Sequence, residues 1–208
     1  MARNGRRDPA RNQERILQAA MAEFARYGLG GARVDRIAAR AGANKRMLYY
    51  YYGNKEALFL AVLEARYAHI RKAEQGLHLL DLDPQQGVRR LVEFTWDYYL
   101  KHPEFLTLLN SENLHRARHL KRSSDIAAMH SPLVALLRDL LRRGERAGKF
   151  RKGVDPVQLY ISIAGLGYFY LSNRHTLSTI FERDLLAPRS KAKRLQHMTE
   201  LVLGYLTK

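Results

Sequence analysis

The chain contains no cysteine among its 208 residues. This absence excludes disulfide bonds, thiolate metal sites and cysteine nucleophiles, and it fits a protein of a reducing compartment. Acidic residues are also scarce, since 20 aspartates and glutamates stand against 36 lysines and arginines. The formal net charge of +16 indicates a polyanionic partner. The alternative is a basic surface that only keeps the protein in solution.

Long hydrophobic runs are missing as well. The longest nearly apolar segment is LYISIAGLGYFYL at residues 159–171, whereas a membrane-spanning helix needs about 20 apolar residues. The basic start, MARNGRRDPARNQ, is not followed by the apolar segment of a secretory signal. We therefore expect a cytoplasmic protein with no membrane partner.

The positive charge is concentrated near the N-terminus. Residues 1–55 hold 12 lysines and arginines against 4 aspartates and glutamates, which leaves a charge of +8 on this segment. The basic arm at residues 3–11 is expected to contact DNA phosphates or a minor groove.

Apolar residues recur at helical spacing along the chain, and no segment shows the alternation typical of a strand. The sequence therefore predicts an all-α fold. A first helix is expected at residues 12–27, closed by Gly28. A short second helix starts at Val34 and stops at Gly42, and Asn44 caps a third. Two short helices joined by a tight glycine turn form a helix-turn-helix unit.

Four consecutive tyrosines lie in the third predicted helix, within KRMLYYYYGNKEALF at residues 45–59. On a helix, Leu48 and Tyr52 share the apolar side, whereas Tyr49 and Tyr50 lie on the other side. We therefore predict that Tyr52 is a core residue and that the two outward rings contact DNA. Burying every ring would need a second apolar face, which this helix lacks. Phenolic hydroxyls bond phosphate oxygens, and ring edges pack on thymine methyl groups or sugars.

Residues 15–64 resemble the DNA-binding domain of the tetracycline-repressor (TetR) family of bacterial regulators. The resemblance rests on the blocks IAARAGANK and LYYYYGNKEALF and on the framework residues Phe24, Gly28 and Ile37. The longer block NKRMLYYYYGNKEALF is similar to the branch that includes the pyrimidine-utilisation regulator, and it carries no implication about the ligand. The family implies an N-terminal three-helix helix-turn-helix domain and a larger C-terminal helical domain for ligand binding and dimerisation. We expect them at 1–55 and 56–208.

Two departures from the family pattern affect the expected DNA-binding surface. Arg33 or Val34 stands where the family often has a serine or threonine that caps the second helix and touches a phosphate, so this cap is unassigned. Arg46 and Met47 stand where the family tends to have Gly-Thr, which makes the base-reading surface bulkier and more basic. The predicted DNA-contacting residues are Arg33, Asn44, Lys45, Arg46, Met47, Tyr49, Tyr50, Tyr51 and Lys55.

The rest of the chain predicts further helices. We expect one helix at residues 54–75 and another at residues 84–101. Ser131-Pro132 either starts a new helix or kinks one. Asp155 caps a helix that is apolar on nearly every side, and such a helix must be buried all round.

The resemblance also implies how this second domain assembles. In TetR relatives the last two long helices pair with their symmetry mates as a four-helix bundle, and residues 157–174 and 190–206 occupy the matching places. Gly165 and Gly167 would permit close helix approach. The expected partner is therefore a second copy of the chain, and the alternative is a monomer in which the apolar helix is simply central.

The function that the resemblance implies is ligand-responsive repression. A dimer would bind a palindromic DNA operator and be released by a small molecule. The alternatives are a constitutive or architectural DNA-binding protein and, more remotely, a small helical enzyme. No catalytic residue or cofactor is predicted. Candidate effector-lining residues place aromatic or amide groups on apolar helices, and each fits a plain core equally well. These residues are Trp96, Tyr99, Phe105, Asn113, Tyr168 and Asn173.

One histidine pair has a metal-like spacing. His115 and His119 lie one helical turn apart, with Glu112 one turn earlier, which is a spacing that zinc ligands use. The surrounding segment NLHRARHLKR is strongly basic and fixes no third ligand. We therefore interpret the histidines as a solvated or pocket-rim pair and predict no metal.

Overall fold

The computed structural model describes residues 9–207 as ten α-helices and two short 3-10 turns, without a strand among these residues. The predicted all-α fold is confirmed. The helices are α1 (Pro9–Gly31), α2 (Val34–Ala41), α3 (Lys45–Tyr52), α4 (Lys55–Gln75), α5 (Pro84–Lys101), α6 (Pro103–Leu114), α7 (Ser124–Arg146), α8 (Pro156–Ser172), α9 (Arg174–Ile180) and α10 (Pro188–Leu206). Most of the predicted basic arm lies outside the described residues. None of the described helices is both long and apolar enough to cross a membrane.

The first three helices begin and end near the predicted residues. Gly28 leaves the helical conformation with φ 64°, which separates the regular part of α1 from its last turn. Gly42 ends α2 in the left-handed conformation with φ 58°. Asn44 then caps α3, because its side chain accepts a hydrogen bond from the Met47 amide at 2.9 Å. The helix-turn-helix unit is confirmed.

One compact unit comprises the chain up to Tyr67 together with Glu104–Ile126. Phe24 on α1 and Phe59 on α4 meet edge to face, with ring centroids 5.1 Å apart. The buried core of this unit also includes Ile16, Ile37, Leu48, Leu58, Leu63 and Leu108. Because this core takes up one side of α2 and of α3, only their other sides remain available to a partner.

This first unit is larger than the expected DNA-binding domain. Leu58 and Phe59 on α4 and Leu108 on α6 belong to the same core as the helix-turn-helix side chains. Residues 56–67 and 104–126 are therefore packed with the helix-turn-helix unit. The functional division after residue 55 remains a prediction.

The second compact unit comprises residues 68–103 and the chain from residue 127 onwards. Helices α5, α8 and α10 contact one another in it. A Cβ at Gly167 would lie 3.3 Å from the Tyr99 ring, so glycine permits the close approach of α8 to α5. A Cβ at Gly165 would meet nothing within 4 Å in this chain. The side chains buried in this unit include Val88, Leu91, Val92, Trp96, Ile163, Met198 and Leu206.

The structure bears on two predictions about the second unit. Of the two alternatives for Ser131-Pro132, a new helix start is excluded, since α7 is continuous from Ser124 to Arg146 with Pro132 inside it. Asp155 does cap α8, because its side chain accepts a hydrogen bond from the Val157 amide at 2.8 Å. Within one chain α8 is only partly buried, and the burial of its other side by a second copy remains a prediction. Ile161 is 54% exposed and Phe169 is 59% exposed.

Candidate functional site

The outward side of α3 presents a basic and aromatic surface, which we call the tyrosine face and define as Lys45, Arg46, Tyr49 and Tyr50. All four side chains are exposed, and Tyr50 is the most open tyrosine of the run at 81%. On the opposite side of the helix, Leu48 is fully buried in the core of the first unit. The predicted orientation of Tyr49 and Tyr50 is therefore confirmed.

Tyr52 is less buried than predicted. Its ring and that of Tyr51 are both partly buried and pack against the core of the first unit. The Tyr52 hydroxyl donates a hydrogen bond to the Gln13 carbonyl at 3.1 Å. Burial and the nearby Glu14 carboxylate raise the pKa of Tyr52. The prediction of a core residue is therefore met in part, since the ring packs against the core at its edge while Leu48 is fully buried in it.

The cap of α2 comes from a residue outside the expected pattern. Arg33 precedes α2 without a side-chain cap, and the Glu23 carboxylate on α1 accepts a hydrogen bond from the Arg33 amide at 3.1 Å. Arg36 donates to the same carboxylate at 2.6 Å. Burial acts to raise the pKa of Glu23, but these hydrogen bonds and the charges of Arg36 and Arg40 outweigh it and lower the pKa. Glu23, which is 1% exposed, therefore holds the start of α2 in place.

The turn between α2 and α3 is held by Arg15. Its guanidinium donates hydrogen bonds to the Ala41 carbonyl, at 3.0 Å from Nε, and to the Gly42 carbonyl, at 3.0 Å from Nη2. These carbonyls lie at the end of α2, where no intrahelical donor is available. The sequence indicated Arg15 only as one of many positive charges, so this positioning role was missed.

Several other predicted DNA-contacting residues already have partners within the chain. The Asn44 side chain is engaged as a helix cap. Lys45 forms an ion pair with Asp35, and both side chains are exposed. Lys55 donates to the Ala32 carbonyl at 3.4 Å. Met47 is partly buried, whereas Arg33 is exposed. DNA contact by these residues remains a prediction.

The six residues predicted to line an effector pocket belong to both compact units. Trp96 and Tyr99 are buried in the second unit, where Tyr168 is partly buried. The Asn173 side chain donates to the Phe169 carbonyl at 2.9 Å, at the end of α8. The remaining two belong to the first unit, in which Phe105 is buried and Asn113 is exposed. Their contact with a ligand remains a prediction.

The histidine pair is part of a buried hydrogen-bond cluster. Glu112 and His119 are each 2% exposed, and Oε2 of Glu112 lies 2.6 Å from Nδ1 of His119. The other Glu112 oxygen accepts hydrogen bonds from the amides of His119 and Leu120. The interpretation as a solvated or pocket-rim pair is therefore wrong for His119, which packs edge to face on Phe59. The described part of the chain holds no group of three residues suited to a metal ion.

A buried charged group in the second unit was not predicted. We call Arg71, Glu74 and Tyr160 the Arg71 cluster. Arg71 and Glu74 are 6% and 5% exposed at the side chain, and their charged groups lie 3.0 Å apart. The Tyr160 hydroxyl lies 3.0 Å from Nη2 of Arg71. Arg71 and Tyr160 are 89 residues apart in the sequence, so no local spacing marked them as neighbours.

Comparison with known proteins assigns both parts of the chain to one family. Residues 84–202 match the tetracyclin repressor-like C-terminal domain, and residues 16–62 match the bacterial regulatory proteins of the tetR family. The transcriptional repressor NicS of Pseudomonas putida is 43% identical over 193 residues, which cover 93% of this chain and 91% of NicS. The transcriptional regulator RutR of Escherichia coli is 29% identical over 150 residues, which cover 71% of this chain and 68% of RutR. RutR is the pyrimidine-utilisation regulator, so the predicted branch resemblance is confirmed.

Solved structures agree with this assignment. The Streptomyces coelicolor protein SCO4942 superimposes with a TM-score of 0.70 at 26% identity, covering 94% of this chain and 98% of that one. A TetR-family regulator from Marinobacter aquaeolei shares the fold, with a TM-score of 0.71 at 19% identity over 96% of this chain and 97% of that one. The relatives are transcriptional regulators and not enzymes. The chain belongs to the TetR family of DNA-binding transcriptional regulators.

Proposed function

We propose that the protein is a cytoplasmic repressor that binds a two-fold symmetric DNA operator as a homodimer and leaves it when a small molecule binds the second unit. One observation carries the DNA-binding part of this proposal. The tyrosine face is exposed on a helix whose opposite side is fixed by the buried Leu48. A recognition helix needs this arrangement, because its base-reading side chains must be free while its backbone is held rigidly.

The chemistry of the tyrosine face suits the major groove. Arg46 can donate two hydrogen bonds to a guanine edge, and the hydroxyls of Tyr49 and Tyr50 can bond phosphate oxygens. Glu23 holds the start of α2 through the Arg33 amide, and Arg15 holds the end of α2 through the Ala41 carbonyl. Their role is to position α2 and α3, so we expect their loss to weaken DNA binding without any direct DNA contact.

The second unit offers a surface for self-association. Between α8 and α10 lies an open, mostly apolar groove of about 530 Å³. Its lining includes Phe169 and Tyr205, which are 59% and 52% exposed, and Leu201 beside them is 47% exposed. Exposed apolar patches of this kind mark interaction surfaces. The groove runs along the two helices expected to form the four-helix bundle, and Gly165 in its lining leaves room for a partner helix.

Repression is supported by the relatives. NicS and the Streptomyces coelicolor protein SCO4008, which is 39% identical over 139 residues covering 66% of this chain and 69% of that protein, are both transcriptional repressors. We propose the same direction of regulation for this chain. A ligand that binds one of two dimer arrangements more tightly shifts the population toward it, and the spacing of the two recognition helices changes as a result.

The experiment is selection of DNA duplexes from a random pool by the full-length protein, combined with sedimentation at micromolar concentration. We expect a dimer and a two-fold symmetric selected site, with half-site centres about one helical turn apart or a multiple of that distance. A protein that sediments as a 24.0 kDa monomer would contradict the dimer proposal. Selected sequences without two-fold symmetry would contradict the operator proposal.

A further inference from the structure

The Arg71 cluster is unusual because it places charge inside the second unit. Arg71 and Glu74 lie one turn apart on α4, and both side chains are at least nine-tenths buried. Charged side chains are seldom fully buried unless they are paired, since leaving water costs several kcal/mol per ion. The pair must therefore either be fully satisfied within the protein or serve a ligand.

The cluster is not satisfied within the described part of the protein. Nη2 of Arg71 contacts both Glu74 and the Tyr160 hydroxyl, but Nε and Nη1 of Arg71 and Oε2 of Glu74 have no hydrogen-bond partner among the described residues. Buried polar groups are nearly always hydrogen-bonded, so each exception calls for an explanation. Two donors on one guanidinium define a place for an acceptor, and an anionic acceptor would gain most from the charge of Arg71.

A cavity lies beside these atoms. It is lined by Arg71, Glu74 and Gln75 on α4, and by Met129, Pro132, Leu133 and Leu136 on α7. Its volume of about 60 Å³ exceeds the roughly 10 to 15 Å³ that one water needs. It is well below the roughly 300 Å³ at which ligand pockets begin. In this conformation the cavity accommodates one small polar group. A larger ligand requires the α7 side chains that line the cavity to move away from α4.

We propose that this cavity binds the carboxylate of a small organic acid, with the carboxylate accepting hydrogen bonds from Arg71 and the apolar part of the acid packing against Met129, Leu133 and Leu136. The proposal rests on the proposed effector response and names the chemical class of the effector. Arginine suits this task because its guanidinium stays charged and offers five donors. The flexible Met129 side chain can adapt to ligands of different shape.

The protonation of Glu74 supports a monoanionic ligand. Burial raises the pKa of Glu74 to about 7, against the opposing effect of the Arg71 charge. Arg71 and Tyr160 are ionisable groups that interact with Glu74. When Glu74 carries a proton, the charge of Arg71 is left without a counter-ion and the carboxyl can donate a hydrogen bond. A carboxylate ligand uses both features.

The test measures the melting temperature of the full-length protein without DNA, with acetate, propionate or benzoate and with the corresponding amides, at constant ionic strength set by chloride. We expect at least one acid to stabilise the protein and its amide not to do so. Arg71→Met should weaken this effect at least about tenfold in concentration, because a hydrogen bond to a charged group is lost. Arg89→Met is the matched control, since Arg89 is an exposed arginine of α5 in the same unit.

Glu74→Gln separates lost binding from lost folding. This variant keeps the size of the side chain and removes the competing negative charge. At about pH 8, where a carboxyl of pKa about 7 is mostly ionised, acid binding should therefore become roughly tenfold tighter than in the wild type. The proposal is overturned if no acid stabilises the protein, if the amides act equally, or if Arg71→Met responds like the wild type.

DNA release by the same acids is measured in a separate assay. An acid that binds through Arg71 without releasing operator DNA would support the carboxylate site. It would overturn the proposal that the acid is an effector. Operator release without an Arg71-dependent melting shift would support effector control and overturn this site.

Discussion

Two regions of the molecule each combine an arginine with a tyrosine, but one region is exposed to solvent and the other is buried. On the tyrosine face, Arg46 and Tyr50 are exposed and their helix is anchored by Leu48 beneath them. In the Arg71 cluster, Arg71 is enclosed within the second unit and contacts Tyr160. Exposed charged and aromatic side chains change the free energy of folding little, because they stay in water. They are therefore available to a large partner such as DNA. Enclosed charges cost stability, and the carboxylate ligand that we propose would offset this cost at Arg71.

The largest effect on stability should come from the residue that anchors the tyrosine face. Leu48→Ala removes a fully buried side chain from the core of the first unit and leaves a cavity. We expect the free energy of unfolding to fall by about 2 to 5 kcal/mol. Urea denaturation measures this change. Leu114→Ala is the control, because Leu114 is 83% exposed in the same unit and its loss should change stability by at most about 0.5 kcal/mol. Equal losses in the two variants would show that α3 is not anchored as described.

The Arg71 cluster should make stability depend on pH. The Glu74 carboxyl has a pKa of 4.5 in the unfolded chain and about 7 in the folded protein. Between these values the folded protein holds a proton that the unfolded chain has lost. The free energy of unfolding therefore falls as pH rises through this window, by on the order of 3 kcal/mol, and becomes level above it.

Glu74→Gln isolates this contribution. Because glutamine does not titrate, the variant should lose the part of the pH dependence that belongs to Glu74. The measurement is urea denaturation of both proteins at about pH 5 and about pH 8, where the difference in stability between variant and wild type should change by on the order of 3 kcal/mol. A difference that is the same at both pH values would mean that Glu74 is ionised throughout.

A smaller stability effect is expected at Tyr52, whose burial is intermediate between that of Leu48 and that of Tyr50. Its ring is only partly buried, and its hydroxyl bonds the Gln13 carbonyl. Tyr52→Ala should therefore destabilise the first unit by roughly 1 to 2 kcal/mol, less than the loss of a fully buried aromatic side chain. Thermal denaturation of Tyr52→Ala beside Tyr52→Phe separates the ring from the hydroxyl. A loss as large as that of Leu48→Ala would contradict this partial burial and show that Tyr52 contributes as much as a fully buried core side chain.

Local signals account for what the sequence predicted well. Gly42 requires a left-handed backbone, and Asn44 and Asp155 cap helices through their own nearby amides, so each can be recognised within a few residues. Helical periodicity likewise separates Leu48 from Tyr50. The helix-turn-helix unit and the outward side of α3 are predictable from the sequence because both depend on residues close together in the chain.

Contacts between distant residues account for what the sequence did not predict. Glu23 and Arg33 are 10 residues apart, and Arg71 and Tyr160 are 89 residues apart. Such pairs depend on how helices pack, and no periodicity or spacing in the sequence encodes that packing. For the same reason, the predicted effector-lining side chains, chosen as aromatic or amide groups on apolar helices, remain a prediction, and they fall in both compact units.

The central claim is that the tyrosine face binds DNA without contributing to folding. The most direct measurement is the dissociation constant of Tyr50→Ala for a duplex obtained by selection, together with its melting temperature. We expect affinity to fall about tenfold or more, through lost phosphate or base contacts, while the free energy of unfolding changes by no more than about 0.5 kcal/mol. Wild-type affinity in Tyr50→Ala, or a variant that unfolds, would contradict the account.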